Sequence, residues 1–127
     1  MTLTTTNLAL TLDTMPPSLN NIYRTITVKG ISRRVLTGDA KKWKADATII
    51  IRNAGRLQGF DIQPKQPFAI TVLYQAPNVN QWDLDGKPKL LIDAFCEAFG
   101  VDDRYLMELH QRKQRGVCAL AMKVWPL

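Results

Sequence analysis

A chain of 127 residues with 46% apolar side chains, spread along its length, is sized for one domain (1–127) with a modest core. No run approaches the ~20 apolar residues that cross a bilayer. The opening "MTLTTTNLALTLDTM" has no basic leader and carries Asp13, so neither a membrane span nor a signal peptide is expected. Seventeen Lys plus Arg against eleven Asp plus Glu leave a formal charge of +6, which suits a polyanionic partner, nucleic acid above all, and otherwise serves solubility.

In chain order, Leu8, Leu10 and Leu12 alternate as in a half-buried strand, and the prolines and asparagines of "MPPSLNNIYR" then break regular structure. "TITVKGISRRVL" reads as a hairpin turning at Lys29-Gly30, and it is basic through Arg24, Lys29, Arg33 and Arg34. A helix is expected from Gly38 to Ala54, capped by Thr37, with Asp39 in its first turn and Gly55 ending it. Its apolar stripe would be Ala40, Trp43, Ala47, Ile50, Ile51 and Ala54. "FAITVLYQA" alternates as a strand over 68–76. A second amphipathic helix carries Leu90, Leu91, Ala94, Phe95, Ala98 and Phe99; Pro88 confines its start to the neighbourhood of Asp85, and Gly100 stops it. "YLMELHQRKQ" and "VCALAMKVW" read as two strands joined at Arg115-Gly116. The expectation is an α+β fold, one mixed sheet packed against two main helices.

The chemistry concentrates in "WDLDGKPKLLIDAFCEAFGVDD". Two residues apart on a helix, Asp83 and Asp85 would point about 200° apart, whereas in extended chain they point the same way. Gly86 and Pro88 bar a long helix upstream, so both carboxylates can face one spot, with Lys89 one turn beyond Asp85 and Asp93 placed to pair with it. Asp102 and Asp103 follow a helix of about 18 Å, so a shared site requires the fold to return them. Carboxylates gathered at ~4 Å repel by about 4 kcal/mol per pair at an effective dielectric of 20 and so call for a cation. Oxygen-only ligands select Mg²⁺, or Mn²⁺ in its place. One His and two widely spaced Cys make no zinc site; His110 reads as a solvated strand residue, and Cys96 and Cys118 as reduced thiols in core segments of a cytoplasmic protein. The chain has no Gly-rich phosphate loop, and no organic cofactor is expected. Trp82 reads first as a packing residue and second as a base-stacking one.

These residues resemble a known family. "DLDGKPKLLIDAF" followed by "GVDDRYLMELHQRK", with "PPSLNNIYR" upstream, is similar to the signature of RusA-type Holliday junction resolvases, small Mg²⁺-dependent homodimeric endonucleases of bacteria, often carried by phages and prophages. The resemblance rests on Asp83, Asp85, Lys89, the Ile92–Phe95 piece, Asp102, Asp103 and Lys113, and on Asn20, Asn21, Tyr23 and Arg24 near the start. It implies a RusA-like fold and paired symmetric cutting of four-way DNA junctions. It implies Asp83, Asp85 and Asp103 as catalytic metal ligands, and Lys89 as the essential basic residue. Many members have Asn after the second Asp, where this chain has Gly86. Arg112, Lys113 and Arg115 join the hairpin cations as expected phosphate contacts. The alternatives are a non-catalytic phage or prophage DNA-binding protein and a Mg²⁺-dependent phosphohydrolase of another class; a structural phage protein would need no metal.

Overall fold

A computed structural model describes residues 7–17 and 23–127. Asn20 and Asn21 of the upstream motif lie outside the described residues. The elements are β1 (Leu8–Leu12), β2 (Tyr23–Val28), β3 (Ile31–Leu36), α1 (Gly38–Gln58), β4 (Phe68–Ala76), α2 (Pro88–Phe99), β5 (Leu106–Arg115) and β6 (Ala119–Pro126). The architecture is α+β: a four-stranded mixed sheet ordered β1-β6-β4-β5, two main helices, and a separate two-stranded β2–β3 hairpin. Among the described residues no helix is long and apolar enough to cross a membrane.

β4 takes the centre because its residues are apolar enough to be buried along almost the whole strand. It pairs antiparallel with β6 and parallel with β5, so β4, α2 and β5 form a crossover unit. β5 and β6, read from sequence as neighbours about Arg115-Gly116, are therefore not paired. Their connection passes the end of β4, where the Gly116 amide donates to the Ala76 carbonyl at 3.2 Å. Alternation identifies a strand but not its partner, and the more buried β4 occupies the slot between them.

The core lies between the sheet and the helices. Phe68, Ile70, Val72 and Tyr74 of β4 and Leu120, Met122 and Val124 of β6 bury completely or nearly so, together with Ile51 of α1 and Leu91 and Phe95 of α2. Edge strand β1 is sealed by a side chain: Gln58 accepts from the Ala9 amide at 3.0 Å and donates to the Ala9 carbonyl at 2.6 Å.

Thr37 caps α1 as expected, accepting from the Ala40 amide at 3.2 Å. The helix nevertheless runs past Gly55 to Gln58, and Gly59 in the left-handed region (φ 67°) ends it. Gly55 serves packing instead. A Cβ there would lie 2.5 Å from Cζ of Phe99, so the missing side chain is what lets α2 close on α1. Ile50, expected on the buried stripe, is 45% exposed. Of the two cysteines expected in the core, Cys118 is exposed and Cys96 only half-buried.

Gly55→Ala sets a gain in helix propensity of up to ~1 kcal/mol against an overlap costing about 1–3 kcal/mol. The Phe99 ring cannot swing aside freely, because it packs on Phe60 and Phe95 at centroid distances of 5.0 and 5.1 Å. The expected outcome in urea unfolding is a net loss of about 1 kcal/mol, relieved when Phe99→Leu is added. Unchanged stability in the single variant would contradict this packing.

Candidate functional site

The segment leading to Asp83 is held by cations. From β5, Lys113 Nζ donates to the Val79 carbonyl at 2.8 Å and to the Trp82 carbonyl at 2.7 Å. Lys87, 8% exposed, donates from Nζ to the Pro16 carbonyl at 3.2 Å. Both ammonium groups lie over the Trp82 ring, 4.7 Å (Lys87) and 5.1 Å (Lys113) from its centroid, and the ring meets Tyr74 edge-on at 5.6 Å. Trp82 is thus a packing residue. Burial lowers the pKa of Lys87. A cation at the N-cap of α2 opposes the helix dipole, so Lys87 is stabilised by the Pro16 carbonyl and the Trp82 ring instead. A Lys just before Pro88, at a helix start where a cation is unfavourable, is the sequence signal for Lys87.

Asp83 has extended backbone (φ −98°, ψ 145°) and precedes a 3-10 turn over Leu84–Gly86 that contains Asp85, with no capping hydrogen bond from its side chain. Asp83 is thus in extended chain and Asp85 at the entry to α2, as expected. With three residues per 3-10 turn, the two carboxylates do not share a direction by virtue of backbone alone. Both are exposed. α2 starts at Pro88, where the missing amide costs nothing.

Lys89 pairs with Asp93 one turn on, Nζ to Oδ1 at 3.1 Å. Burial pulls the Lys89 pKa down, but the hydrogen bond and charge of Asp93, with smaller contributions from Tyr23 and Asp103, outweigh it and leave it raised. After the left-handed Gly100 (φ 66°), Asp102 accepts from the Arg104 amide at 3.0 Å and meets Arg104 Nε at 3.2 Å. That backbone hydrogen bond, then the Arg104 charge, holds its carboxyl below the ordinary range. Asp102 is thus a turn cap, and Asp103 opens the 3-10 turn that leads into β5. Asp103 lies just past the C-terminal end of α2, and its charge contributes to raising the pKa values of Lys89 and Cys96. Burial, then the charges of Asp103, Asp93 and Asp102, pushes the Cys96 thiol up to about 12.

No protein-family model matches the chain, and no curated protein matches it at a significant level. In donor chemistry, the carboxylate oxygens of Asp83, Asp85 and Asp103 suit a hard divalent ion. Among the described residues, however, no group of three or more His, Cys, Asp or Glu side chains is arranged to hold a metal. Of the expected phosphate contacts, Lys113 turns inward to the Trp82 loop, and Arg115 donates to the Pro77 carbonyl at 3.1 Å while staying exposed. Arg112, Arg24, Lys29, Arg33 and Arg34 are exposed. His110 is exposed on β5, with Nε2 3.2 Å from Glu108 Oε1, in line with a solvated strand residue.

Lys113→Met removes two charge-assisted hydrogen bonds and strands their carbonyls, so unfolding should show a loss of about 2 kcal/mol. Arg112→Met, on the exposed side of the same strand, should stay within about 0.5 kcal/mol. Equal losses would refute the clamp. Because the thiolate is the reactive form and Cys96 keeps its proton, a disulfide reagent at pH 8 should find one fast thiol, Cys118. Cys118→Ser should abolish that phase; its survival would place the reactive thiol at Cys96.

Proposed function

We propose that the protein is a Mg²⁺-dependent, structure-selective endodeoxyribonuclease of the RusA type that resolves four-way DNA junctions as a homodimer. The observation that carries the reading is that Asp83, Asp85, Asp102 and Asp103 are all exposed on the turns that flank α2, with Lys89 in the helix's first turn. Further support comes from the resemblance of the Asp83–Lys89 and Asp102–Asp103 segments to the RusA-type signature.

In this reading Asp83, Asp85 and Asp103 would hold Mg²⁺, with Mn²⁺ as a substitute, and the ion would supply Lewis-acid polarisation of the scissile phosphate and an acidified water. The chain's own residues do the rest. Lys89, kept protonated by Asp93, offers its charge to the phosphoryl oxygens as negative charge builds on them. Lys113 and Lys87 hold Trp82 and so fix the backbone from which Asp83 projects. Gly86 stands where many relatives of this type carry Asn, so no side-chain amide assists at that position. Two identical sites on a two-fold dimer suit paired cuts in a junction that is itself nearly two-fold. A non-catalytic DNA-binding protein is the second reading; it is favoured by the lack, among the described residues, of a carboxylate group arranged around an ion.

The purified protein should cut a synthetic four-way junction at symmetric positions in Mg²⁺, leave matched linear duplex nearly intact, and stop in chelator. Asp83→Asn and Asp103→Asn should each reduce cutting at least about a hundredfold while keeping junction affinity, since each removes a charge that repels phosphate. Cutting that persists in chelator, or normal cutting by both variants, refutes the nuclease site. Tight junction binding without any cutting selects the second reading.

A further inference from the structure

The β2–β3 hairpin is not part of the main sheet and is not consumed by the site described above. Its root is fixed: Tyr23 and Leu36, a cross-strand pair, pack against Ala40 and Leu90, next to Lys89. Its tip is a two-residue turn with both residues at positive φ, Lys29 at 52° and Gly30 at 75°. Flanking that turn, Val28 and Ile31 face each other across the strands and are 49% and 65% exposed. Strand alternation puts Arg24 on the face of Val28 and Arg33 on the face of Ile31.

We propose that this hairpin is a nucleic-acid arm whose apolar Val28–Ile31 tip enters an opened or branched duplex while its arginines hold the flanking phosphates. The inference rests on the junction reading above and adds the element that would recognise the branch.

Three observations select the partner. From Thr14 to Gly38 the chain has no Asp or Glu, so the arm is purely cationic. Among the described residues, none of the ion pairs engages an arm residue, and only Arg34 is braced, 4.6 Å over the Tyr23 ring. A two-stranded ribbon also has the width that a DNA groove admits, and aliphatic wedges flanked by arginines unstack base steps. A second copy of the chain is disfavoured by like charge. A membrane surface is disfavoured because the tip has no aromatic anchor.

The test uses the whole protein in chelator, which prevents cutting, with anisotropy titrations on a four-way junction and on matched duplex and with 2-aminopurine at the branch point. Wild type should prefer the junction and raise the 2-aminopurine emission. Val28→Thr with Ile31→Thr keeps strand propensity but removes the apolar tip; it should lose about tenfold in junction affinity and most of the emission rise, with duplex affinity changed less than about twofold. Arg33→Ser with Arg34→Ser should weaken both substrates and lower the slope of log affinity against log salt by about two. A Thr variant that matches wild type on the junction overturns the wedge while leaving the junction reading intact. No junction preference in wild type overturns both. Binding to phosphatidylserine vesicles that needs Val28 and Ile31, with none to junctions, assigns the tip to membranes and overturns the proposal.

Discussion

The geometry around the candidate site depends on one ammonium group. Lys113 sits on an edge strand, yet its side chain reaches back to the loop after β4 and satisfies two carbonyls there. A partly buried charge is tolerable only when its donors are used, and a loop carbonyl away from water is tolerable only when something donates to it. Each solves the other's problem, and the Trp82 ring adds an electrostatically favourable face for both Lys113 and Lys87. The result is a rigid base under a solvent-exposed acidic turn.

The crossover topology gives that base its reach. Because β5 runs parallel to β4, the chain must travel the length of α2 before β5 can begin. The acids at the two ends of α2 are thus separated by the helix and joined only through what packs along it. Gly55 sets how near α2 lies to α1, and the Phe60, Phe95 and Phe99 rings fill the seam between them.

Charge is divided unevenly over this frame. Lys44, Lys89 and Arg104 are paired with Glu97, Asp93 and Asp102. The hairpin cations are not among these pairs, so their charge is available on the arm rooted beside Lys89. A net-basic chain can therefore hold exposed carboxylates near α2 while its arm stays cationic, since charges in water at moderate salt screen from each other within about 10 Å.

Local chemistry was legible before any fold was known. The hairpin at Lys29-Gly30, the Thr37 cap, the Gly100 stop, the Pro88 start and the Lys89–Asp93 pair each depend on residues within four or five positions of one another, where backbone sterics and helical spacing decide. What sequence could not decide was which distant groups meet. The role of Gly55, the insertion of β4 between β5 and β6, the inward turn of Lys113 and the burial of Lys87 against Pro16 all depend on contacts between residues far apart in the chain. Such contacts are chosen by competition for the most buried positions, and the strand or helix with the most apolar surface wins them; no window along the chain contains both competitors.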